Sequence, residues 1–279
     1  MKRTLRHIAK ELRAAYQAAE GPRSFTCLAL DVFLYRLMKI GAFGMRNRER
    51  TVRLRNGVTL TYRLNRGDIQ GIREVWYDHV YRLPFHTAVE TVVDLGANIG
   101  LTSVYLAKRY GATLIVAVEP DPQNAELVRR NFRQNAIRGY VVEAAIGPQD
   151  GTVCFLSEVD SNIGHVSLEG REVPMVSMET LCASHALQRI DVLKMDIEGG
   201  EQQLLSGPIG WLSNVKSIVA EFHPDVIDYA ACVSRIENAG LRWIRPGSVY
   251  RHTTDCFLVS EIATLECEAQ ANGPQQAPV

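Results

Sequence analysis

Two short stretches in the second half of the chain carry side chains suited to proton transfer. In the first, polar and apolar residues alternate, so that Lys194, Asp196 and Glu198 share one face while the strand persists. In the second, the same alternation places Glu221 beside His223. An imidazole with a carboxylate neighbour is suited to general base catalysis near neutral pH. We therefore predict that His223 removes a proton, with Asp196 and Glu198 as further catalytic residues.

The same side chains include the ligand types of a divalent metal ion. Carboxylate oxygens are the ligands that Mg²⁺ and Mn²⁺ prefer, and a bound ion acidifies a hydroxyl without a protein base. The candidate ligands are Asp196, Glu198, Glu221 and His223. Their spacing on two strands does not choose between a base and a metal, so both alternatives stay open.

A glycine-bearing turn between an apolar strand and a helix is suited to binding a cofactor. The strand carries Asp94 near its end, and the turn runs through Gly96, Ala97 and Asn98 to Gly100. Glycines let the backbone approach a ligand closely, and the helix that follows presents free N–H groups and its positive dipole end. We expect a carboxylate or phosphate at this turn.

An acidic residue completes the cofactor signature. Glu119 ends the next apolar strand about 20 residues later, where a carboxylate accepts the two hydroxyls of a ribose. A dinucleotide site needs G-x-G-x-x-G, whose middle glycine admits the pyrophosphate, and here Asn98 stands in that place. A methionine-type group could instead bond the Asn98 amide and the Asp94 carboxylate. A dinucleotide and a turn without ligand remain the alternatives.

These residues meet only if a parallel sheet brings them together. From about residue 91, short apolar runs alternate with helical segments, which is typical of a parallel α/β sheet. Such sheets bind ligands at the carboxyl ends of their strands. We predict a Rossmann-like, doubly wound, mostly parallel sheet of seven strands with helices on both faces. The predicted strands lie near 91–95, 113–118, 140–145, 191–195, 215–222, 241–245 and 256–260, and the helices near 100–110, 122–135, 178–187, 200–206 and 228–239.

Four motifs together resemble the FkbM family of S-adenosylmethionine-dependent methyltransferases. The resemblance covers residues 60–260, and its most specific part is the last motif. The motifs are Val93-Asp-Leu-Gly-Ala-Asn-Ile-Gly, Val118-Glu-Pro-Asp, Ala145-Ile-Gly-Pro-Gln-Asp-Gly and Ile190-Asp-Val-Leu-Lys-Met-Asp-Ile-Glu-Gly-Gly-Glu. The resemblance implies a class I methyltransferase fold and O-methylation of hydroxyls on sugars, polyketides or related secondary metabolites.

The resemblance also implies roles for particular residues. Glu119 would hold the ribose of S-adenosylmethionine, the segment from Glu143 to Ala145 would hold the adenine edge, and Asp196 would lie near the methionyl part. The residues implied for the methionine moiety are Asp94, Gly96, Ala97, Asn98 and Gly100.

Two other classes of function remain alternatives. An RNA or DNA methyltransferase stacks and hydrogen-bonds its target base, but no Asn/Asp-Pro-Pro-aromatic tetrapeptide follows the fourth strand. A non-catalytic module that binds an adenosyl group or dinucleotide would not need the charged residues beside the pocket. We therefore expect a small-molecule or glycosidic hydroxyl as the acceptor, and no nucleic acid.

Charge is distributed unevenly along the chain although the formal net charge is zero. Residues 1–55 hold 13 Lys or Arg against 4 Asp or Glu, and the remainder holds 18 against 27. The sequence predicts two helices broken at Gly21-Pro22 and a hairpin around Asn56-Gly57, a dipeptide suited to a type I′ turn. We interpret the apolar second helix as one that docks on the core or forms a homodimer. Association with a membrane surface is the alternative, and stable membrane insertion is not expected because charges interrupt the helix.

The remaining sequence features bound location and domains. The six cysteines are scattered singly, which argues against zinc sites and disulfides, and the start of the chain lacks a signal-peptide pattern. We therefore expect a cytoplasmic protein. The predicted domains are a helical arm at 1–50, a methyltransferase domain with its leading hairpin at 51–263, and a disordered tail at 264–279. An insertion at 147–177 is expected to form a hairpin and loop.

Three further features have two interpretations each. Lys194 either takes part in the site or forms a structural pair with a neighbouring glutamate. Glu201, at a helix start, either favours the helix dipole or takes part in catalysis. The stretch 76–82 combines aromatic and polar groups, and either covers the cofactor or packs between the arm and the core.

Overall fold

A mixed seven-stranded sheet forms the centre of the computed structural model, which describes residues 2–39, 47–84, 88–156, 165–166, 170–244 and 254–259. The helices are α1 (Lys2–Ala18), α2 (Gly21–Lys39), α3 (Arg66–Ile72), α4 (Leu101–Tyr110), α5 (Pro122–Gln134), α6 (Met178–Ser184), α7 (Glu201–Ser206) and α8 (Tyr229–Asn238). The strands are β1 (Glu49–Leu54), β2 (Val58–Arg63), β3 (Thr91–Leu95), β4 (Leu114–Val118), β5 (Gly139–Val142), β6 (Ala145–Gly147), β7 (Gly151–Leu156), β8 (His165–Val166), β9 (Arg171–Ser177), β10 (Val192–Met195), β11 (Ser217–Glu221), β12 (Leu241–Ile244) and β13 (Thr254–Val259).

The order of the strands is that of a Rossmann-like, doubly wound sheet. The sheet runs β12-β13-β11-β10-β3-β4-β5, and β13 pairs antiparallel with both of its neighbours. The other described pairs in this sheet, those joining β11, β10, β3, β4 and β5, are parallel. The predicted fold class is therefore confirmed.

One predicted strand was wrong at its end. The apolar run predicted at 140–145 is divided, because β5 ends at Val142, whereas Ala145 begins β6 in a second sheet. Val142 still pairs with Val118 of β4, but Ala145 pairs with Met175 of β9. The sequence pattern shows both pieces as apolar, and only the choice of partner strand separates them.

Apolar side chains cover both faces of the central sheet, which explains the continuous apolar runs of its strands. On β3, Val92 packs into the core beneath α4 and the hairpin, whereas Val93 and Leu95 pack into the opposite core with α6 and α7. Ile115 and Val116 of β4 divide between the two faces in the same way.

The N-terminal helices dock on the hairpin and on α3. Asp31 of α2 accepts from Arg50 at 2.8 Å and from the Tyr62 hydroxyl, while Arg73 pairs with Glu11 of α1 at 2.7 Å. These contacts agree with the docking interpretation of the arm. The homodimer and the cytoplasmic location stay predictions. Within the described part of the chain, no helix is long and apolar enough to cross a membrane.

The hairpin connects its strands through three residues rather than the two of a simple type I′ turn. Asn56 and Gly57 both have φ of +72°, as that turn requires. The last strand pair, however, is Leu54 with Val58, so Arg55 also belongs to the connection. The prediction of a hairpin is confirmed, with a longer loop.

The insertion forms a small second sheet in the order β6-β9-β7-β8. β7 and β9 pair antiparallel, as the predicted hairpin requires, and Phe155 of β7 reaches the cleft described below. Residues 157–164 and 167–169 and the tail predicted at 264–279 lie outside the described residues.

Candidate active site

A cleft of about 330 Å³ opens at the carboxyl ends of β3, β4 and β10. Its size and position are typical of ligand sites in open α/β sheets. It is covered by α3 and by the π-helical turn Arg73–Tyr77 that continues from it. Seven of the predicted catalytic and cofactor-binding residues line this cleft: Gly96, Ala97, Asn98, Glu119, Ala145, Asp196 and Glu198. The candidate metal ligand Glu221 and Lys194 also line it, whereas His223 does not.

The turn after β3 can only be built with glycine at its first position. Gly96 has φ of +73°, and a Cβ added there would lie 1.9 Å from the carbonyl oxygen of Asp196. Gly100 has φ of +81° and begins α4 against Val128, and it does not line the cleft. Oδ1 of Asn98 is buried beside the cleft and has no hydrogen-bond partner among the described residues. This turn therefore leaves a backbone cradle and a free acceptor for a polar ligand.

Glu119 is buried and surrounded by donors. Its Oε2 accepts from the backbone N–H of Asn98 at 2.8 Å, and its Oε1 accepts from the N–H of Asp121 at 2.9 Å and from Nδ2 of Asn124 at 3.3 Å. Burial raises the pKa of Glu119 to about 7, against the opposing effect of these hydrogen bonds. Each carboxylate oxygen has two lone pairs, so Oε2, which accepts one hydrogen bond, can still accept from a ligand hydroxyl, whereas Oε1 already accepts two.

Besides Gly100, two predicted cofactor residues do not line the cleft. Asp94 is fully buried, and its Oδ2 accepts from the Ser103 hydroxyl at 2.6 Å. Glu143 lies outside the cleft and pairs with Arg129 at 3.2 Å. Its neighbour Ala144 lines the cleft instead.

Lys194 is a buried cation that joins the glycine turn to the acidic residues. Its Nζ donates to the carbonyl oxygen of Gly96 at 2.6 Å and lies 3.2 Å from Oδ1 of Asp94 and 3.7 Å from Oδ2 of Asp196. Burial lowers the pKa of Lys194, but the charges of Asp94 and Asp196 outweigh burial and raise it above its ordinary value. Its partners are thus these aspartates and the turn, and not the glutamates expected from the sequence.

The structure brings the charged residues of β10 and β11 together. Tyr81 donates its hydroxyl to Oδ2 of Asp196 at 2.8 Å and lies 3.4 Å from Oε2 of Glu221. Burial, followed by the charge of Asp196, raises the pKa of Glu198 and of Glu221 to about 7 each. Oε2 of Glu198 lies 3.3 Å from Nε2 of His223. Four residues, Asp196, Glu198, Glu221 and His223, are called the charged cluster below.

Glu201 accepts a hydrogen bond from the Nδ1 side of the His223 ring. Glu201 is fully buried, and its Oε1 accepts from Nδ1 of His223 at 3.2 Å and from the backbone N–H of Ile197 at 3.1 Å. This hydrogen bond is the main reason why the pKa of His223 is raised to about 9, although burial opposes it. His223 is therefore an imidazolium at neutral pH, with one carboxylate at each ring nitrogen.

Three members of the cluster are also arranged as metal ligands could be. One ligand atom each of Asp196, Glu198 and His223 lies within 4.8 Å of the others. Both ring nitrogens of His223 already face carboxylates, so an ion would have to replace the contact between His223 and Glu198.

Several residues in the cleft were missed by reasoning from the sequence. Tyr81 lay in a stretch with two interpretations, and the structure places it inside the site. Gln70 and Glu74 also line the cleft, joined by a hydrogen bond of 2.7 Å. Arg63 lines it from the end of the hairpin. Their positions depend on contacts between segments far apart in the chain, for which no local pattern exists.

Comparisons with known proteins agree on one family. The model of the methyltransferase FkbM domain matches residues 94–240, which is just over half of the chain. The 31-O-demethyl-FK506 methyltransferase FkbM of Streptomyces tacrolimicus is 24% identical over 216 residues, covering 62% of this chain and 81% of the relative. The hexuronic acid methyltransferase AglP of Haloferax volcanii is 27% identical over 170 residues, covering 57% and 70%.

Part of this chain also matches a solved structure. The tRNA (uracil-54, C5)-methyltransferase of Pyrococcus abyssi, in complex with S-adenosyl-L-homocysteine, matches 75% of this chain and 43% of its own. The chain thus spans less than half of that protein. The identity is 16% and the TM-score 0.42, a likeness too low to support an argument about function.

Proposed function

This chain belongs to the FkbM methyltransferase family and is an S-adenosylmethionine-dependent methyltransferase, and we propose that it methylates a hydroxyl of a small-molecule or sugar-type acceptor. The observation that carries the proposal is one cleft lined both by a glycine cradle and by carboxylates of raised pKa. The names of two relatives support it, since one denotes methyl transfer to an oxygen and the other to a sugar acid.

The cradle suits the cofactor. S-adenosylmethionine supplies an electrophilic methyl group on a sulfonium. We propose that the turn from Gly96 to Asn98 holds the methionine part, with Oδ1 of Asn98 as an acceptor for the ammonium. Glu119 binds the ribose by accepting from a hydroxyl through Oε2, and Ala145 packs against the adenine. Asp94 and Gly100 act indirectly, Asp94 through Lys194 and Gly100 by starting α4.

On the acceptor side, the protein has to take the proton of the hydroxyl. A general base works best when its pKa lies near the working pH. Glu198, with a pKa of about 7, meets this condition better than His223, which stays protonated to about pH 9. We propose that Glu198 takes the proton, that the His223 imidazolium holds Glu198 in place, and that Asp196, fixed by Tyr81 and Lys194, orients the acceptor.

The pH profile of kcat/KM distinguishes this proposal from His223 as the base. A carboxylate base predicts that kcat/KM rises with pH through about 7 and that Glu198→Gln abolishes the rise. If the rise instead lies near pH 9 and disappears with His223→Gln, then His223 is the base.

The cofactor is tested first, by calorimetric titration with S-adenosylmethionine, S-adenosylhomocysteine and NAD. We expect both adenosyl ligands to bind, and Glu119→Ala to weaken them at least about tenfold through the lost charged hydrogen bonds. Glu126→Ala, an exposed glutamate on α5, is the matched control. Binding of NAD alone would overturn the proposal.

A divalent metal is the second candidate for activating the hydroxyl, and the grouping of Asp196, Glu198 and His223 favours it. An ion there would replace the proton shared by Glu198 and His223. If methyl transfer survives exhaustive chelation, the metal has no part in the reaction. Loss of activity that Mg²⁺ or Mn²⁺ restores would instead establish it.

A further inference from the structure

A chain of buried polar side chains joins the N-terminal hairpin to Glu119. Arg63, the last residue of β2, donates from Nη2 to Oδ1 of Asn124 at 2.6 Å, and Asn124 donates from Nδ2 to Oε1 of Glu119 at 3.3 Å. Asp68 holds the guanidinium, accepting from Nε at 3.0 Å and from Nη2 at 3.1 Å. None of the four residues is more than 8% exposed.

The chemistry of the end members fixes the orientation of the amide between them. A guanidinium only donates hydrogen bonds, and a carboxylate only accepts them. The amide of Asn124 must therefore turn its oxygen to Arg63 and its nitrogen to Glu119. The reverse orientation would set the NH₂ group against the guanidinium and the oxygen against the carboxylate. Asp68 holds the guanidinium in position for this contact. Oδ1 of Asn65 in turn accepts from the backbone N–H of Asp68 at 2.7 Å.

We infer that Arg63 is a positioning residue for the cofactor: acting through Asn124, it holds Glu119 in place so that Oε2 accepts a ribose hydroxyl. The inference rests on the proposed role of Glu119. It makes the hairpin part of the cofactor site, although 56 positions separate Arg63 from Glu119 in the sequence. The hydrogen bond from Asn124 also lowers the pKa of Glu119 against the effect of burial, so the contact favours the charged acceptor.

The sharpest test is Asn124→Asp, which changes the amide nitrogen to an oxygen at nearly constant shape. The new carboxylate still accepts from Arg63, so the variant keeps its connection to the hairpin, but it faces the buried Glu119 carboxylate, and we expect the urea unfolding midpoint to fall. It no longer donates to Glu119, and we expect S-adenosylhomocysteine to bind at least about tenfold more weakly in calorimetric titration. Gln134→Glu is the matched control, since it adds the same charge at an exposed position of the same helix. Unchanged affinity in Asn124→Asp would overturn the inference.

A double-mutant cycle tests whether Arg63 acts through Asn124. Arg63→Lys and Asn124→Ala are measured separately and together, with S-adenosylhomocysteine affinity as the readout. We expect the second substitution to add little to the first, since both break one connection. Additive losses would overturn the inference and place Arg63 in direct contact with the cofactor.

The outcome for Glu119 separates this inference from the proposed function. If Glu119→Ala loses affinity and Asn124→Asp keeps it, only the inference fails. If the wild-type protein binds neither S-adenosylmethionine nor S-adenosylhomocysteine, the proposed function fails and the inference fails with it.

Discussion

The proton affinity of His223 is the property of the site that depends most on one buried contact. His223 has a pKa of about 9 against an ordinary 6.5, and the hydrogen bond to Glu201 is the main cause. This difference corresponds to about 3 kcal/mol. Glu201→Gln keeps the acceptor oxygen that faces the N–H of Ile197 but removes the charge. We expect the pKa of His223 to fall toward 6.5 in this variant, about a hundredfold loss of proton affinity.

The assay is NMR of the protein with ¹³C-labelled histidine rings, titrated from pH 5 to pH 10. His223→Gln assigns the signal, and His185, whose pKa burial holds below its ordinary value, serves as an internal reference. Glu126→Gln is the control for removal of a glutamate charge elsewhere. A pKa of His223 near 6.5 in the wild type would refute the reasoning. So would an unchanged pKa in Glu201→Gln, because another carboxylate would then be the cause.

The same contact predicts how stability depends on pH. The folded pKa of His223 lies above its unfolded value, so its stabilisation is complete below about pH 6.5 and is lost as pH rises through about 9. In urea unfolding, the free energy should fall by up to about 3 kcal/mol across this window in the wild type. It should fall less in Glu201→Gln. Equal slopes in both proteins would contradict the assignment of the contact to Glu201.

Three other perturbations test the site and its support. Gly96→Ala should lower the free energy of unfolding by about 3 kcal/mol or more and abolish cofactor binding, because the new Cβ would meet the Asp196 carbonyl. The control is Gly111→Ala, at a glycine with φ of +77° but open space around it. This control should lower the free energy of unfolding by only about 1 kcal/mol in the same urea titration. Asn131→Leu should lower the free energy of unfolding in urea by about 3 kcal/mol, because the amide makes three buried hydrogen bonds that join the hairpin to the turn before α4. A loss below about 1 kcal/mol would show that these hydrogen bonds add little to stability. Glu198→Gln should remove the rise of kcat/KM near pH 7 without weakening S-adenosylhomocysteine, and an intact rise would assign it to another group.

Most elements of the catalytic domain could be predicted because their signals are local. Strands buried on both faces appear as short apolar runs, and β3 occupies the predicted residues 91–95. The prediction of one strand at 140–145 was wrong because pairing partners, and not apolar character, decide where a strand ends. The glycine turn and Glu119 could be predicted because glycines between a strand and a helix, followed by an acidic residue at the end of the next strand, form a distinctive local pattern.

The acceptor side of the cleft could be predicted only in part. The alternation predicted for Asp196, Glu198 and His223 does not apply, because β10 ends at Met195 and β11 at Glu221. The three residues still meet, because they follow adjacent parallel strands whose carboxyl ends lie at one edge of the sheet. Tyr81 and Glu201 acquire their contacts from the way in which separate segments pack, and neither contact has a sequence signature. Lys194 pairs with Asp94 and Asp196, and not with the expected glutamates, because of the way these strands pack.

The sequence by itself determined the family, the succession of strands and helices along the catalytic part of the chain and the edge of the sheet where the cofactor site lies. The hydrophobic period, the glycine positions and the acidic strand ends are local properties of the sequence, so they can be recognised without knowing how the chain packs. Only the tertiary structure decided the charge states, because a pKa depends on burial and on charges that meet through space. His223 is a basic residue mainly because the buried Glu201 carboxylate accepts from its ring. Glu198 is a carboxylate of nearly neutral pKa because it is largely buried and lies near the charge of Asp196.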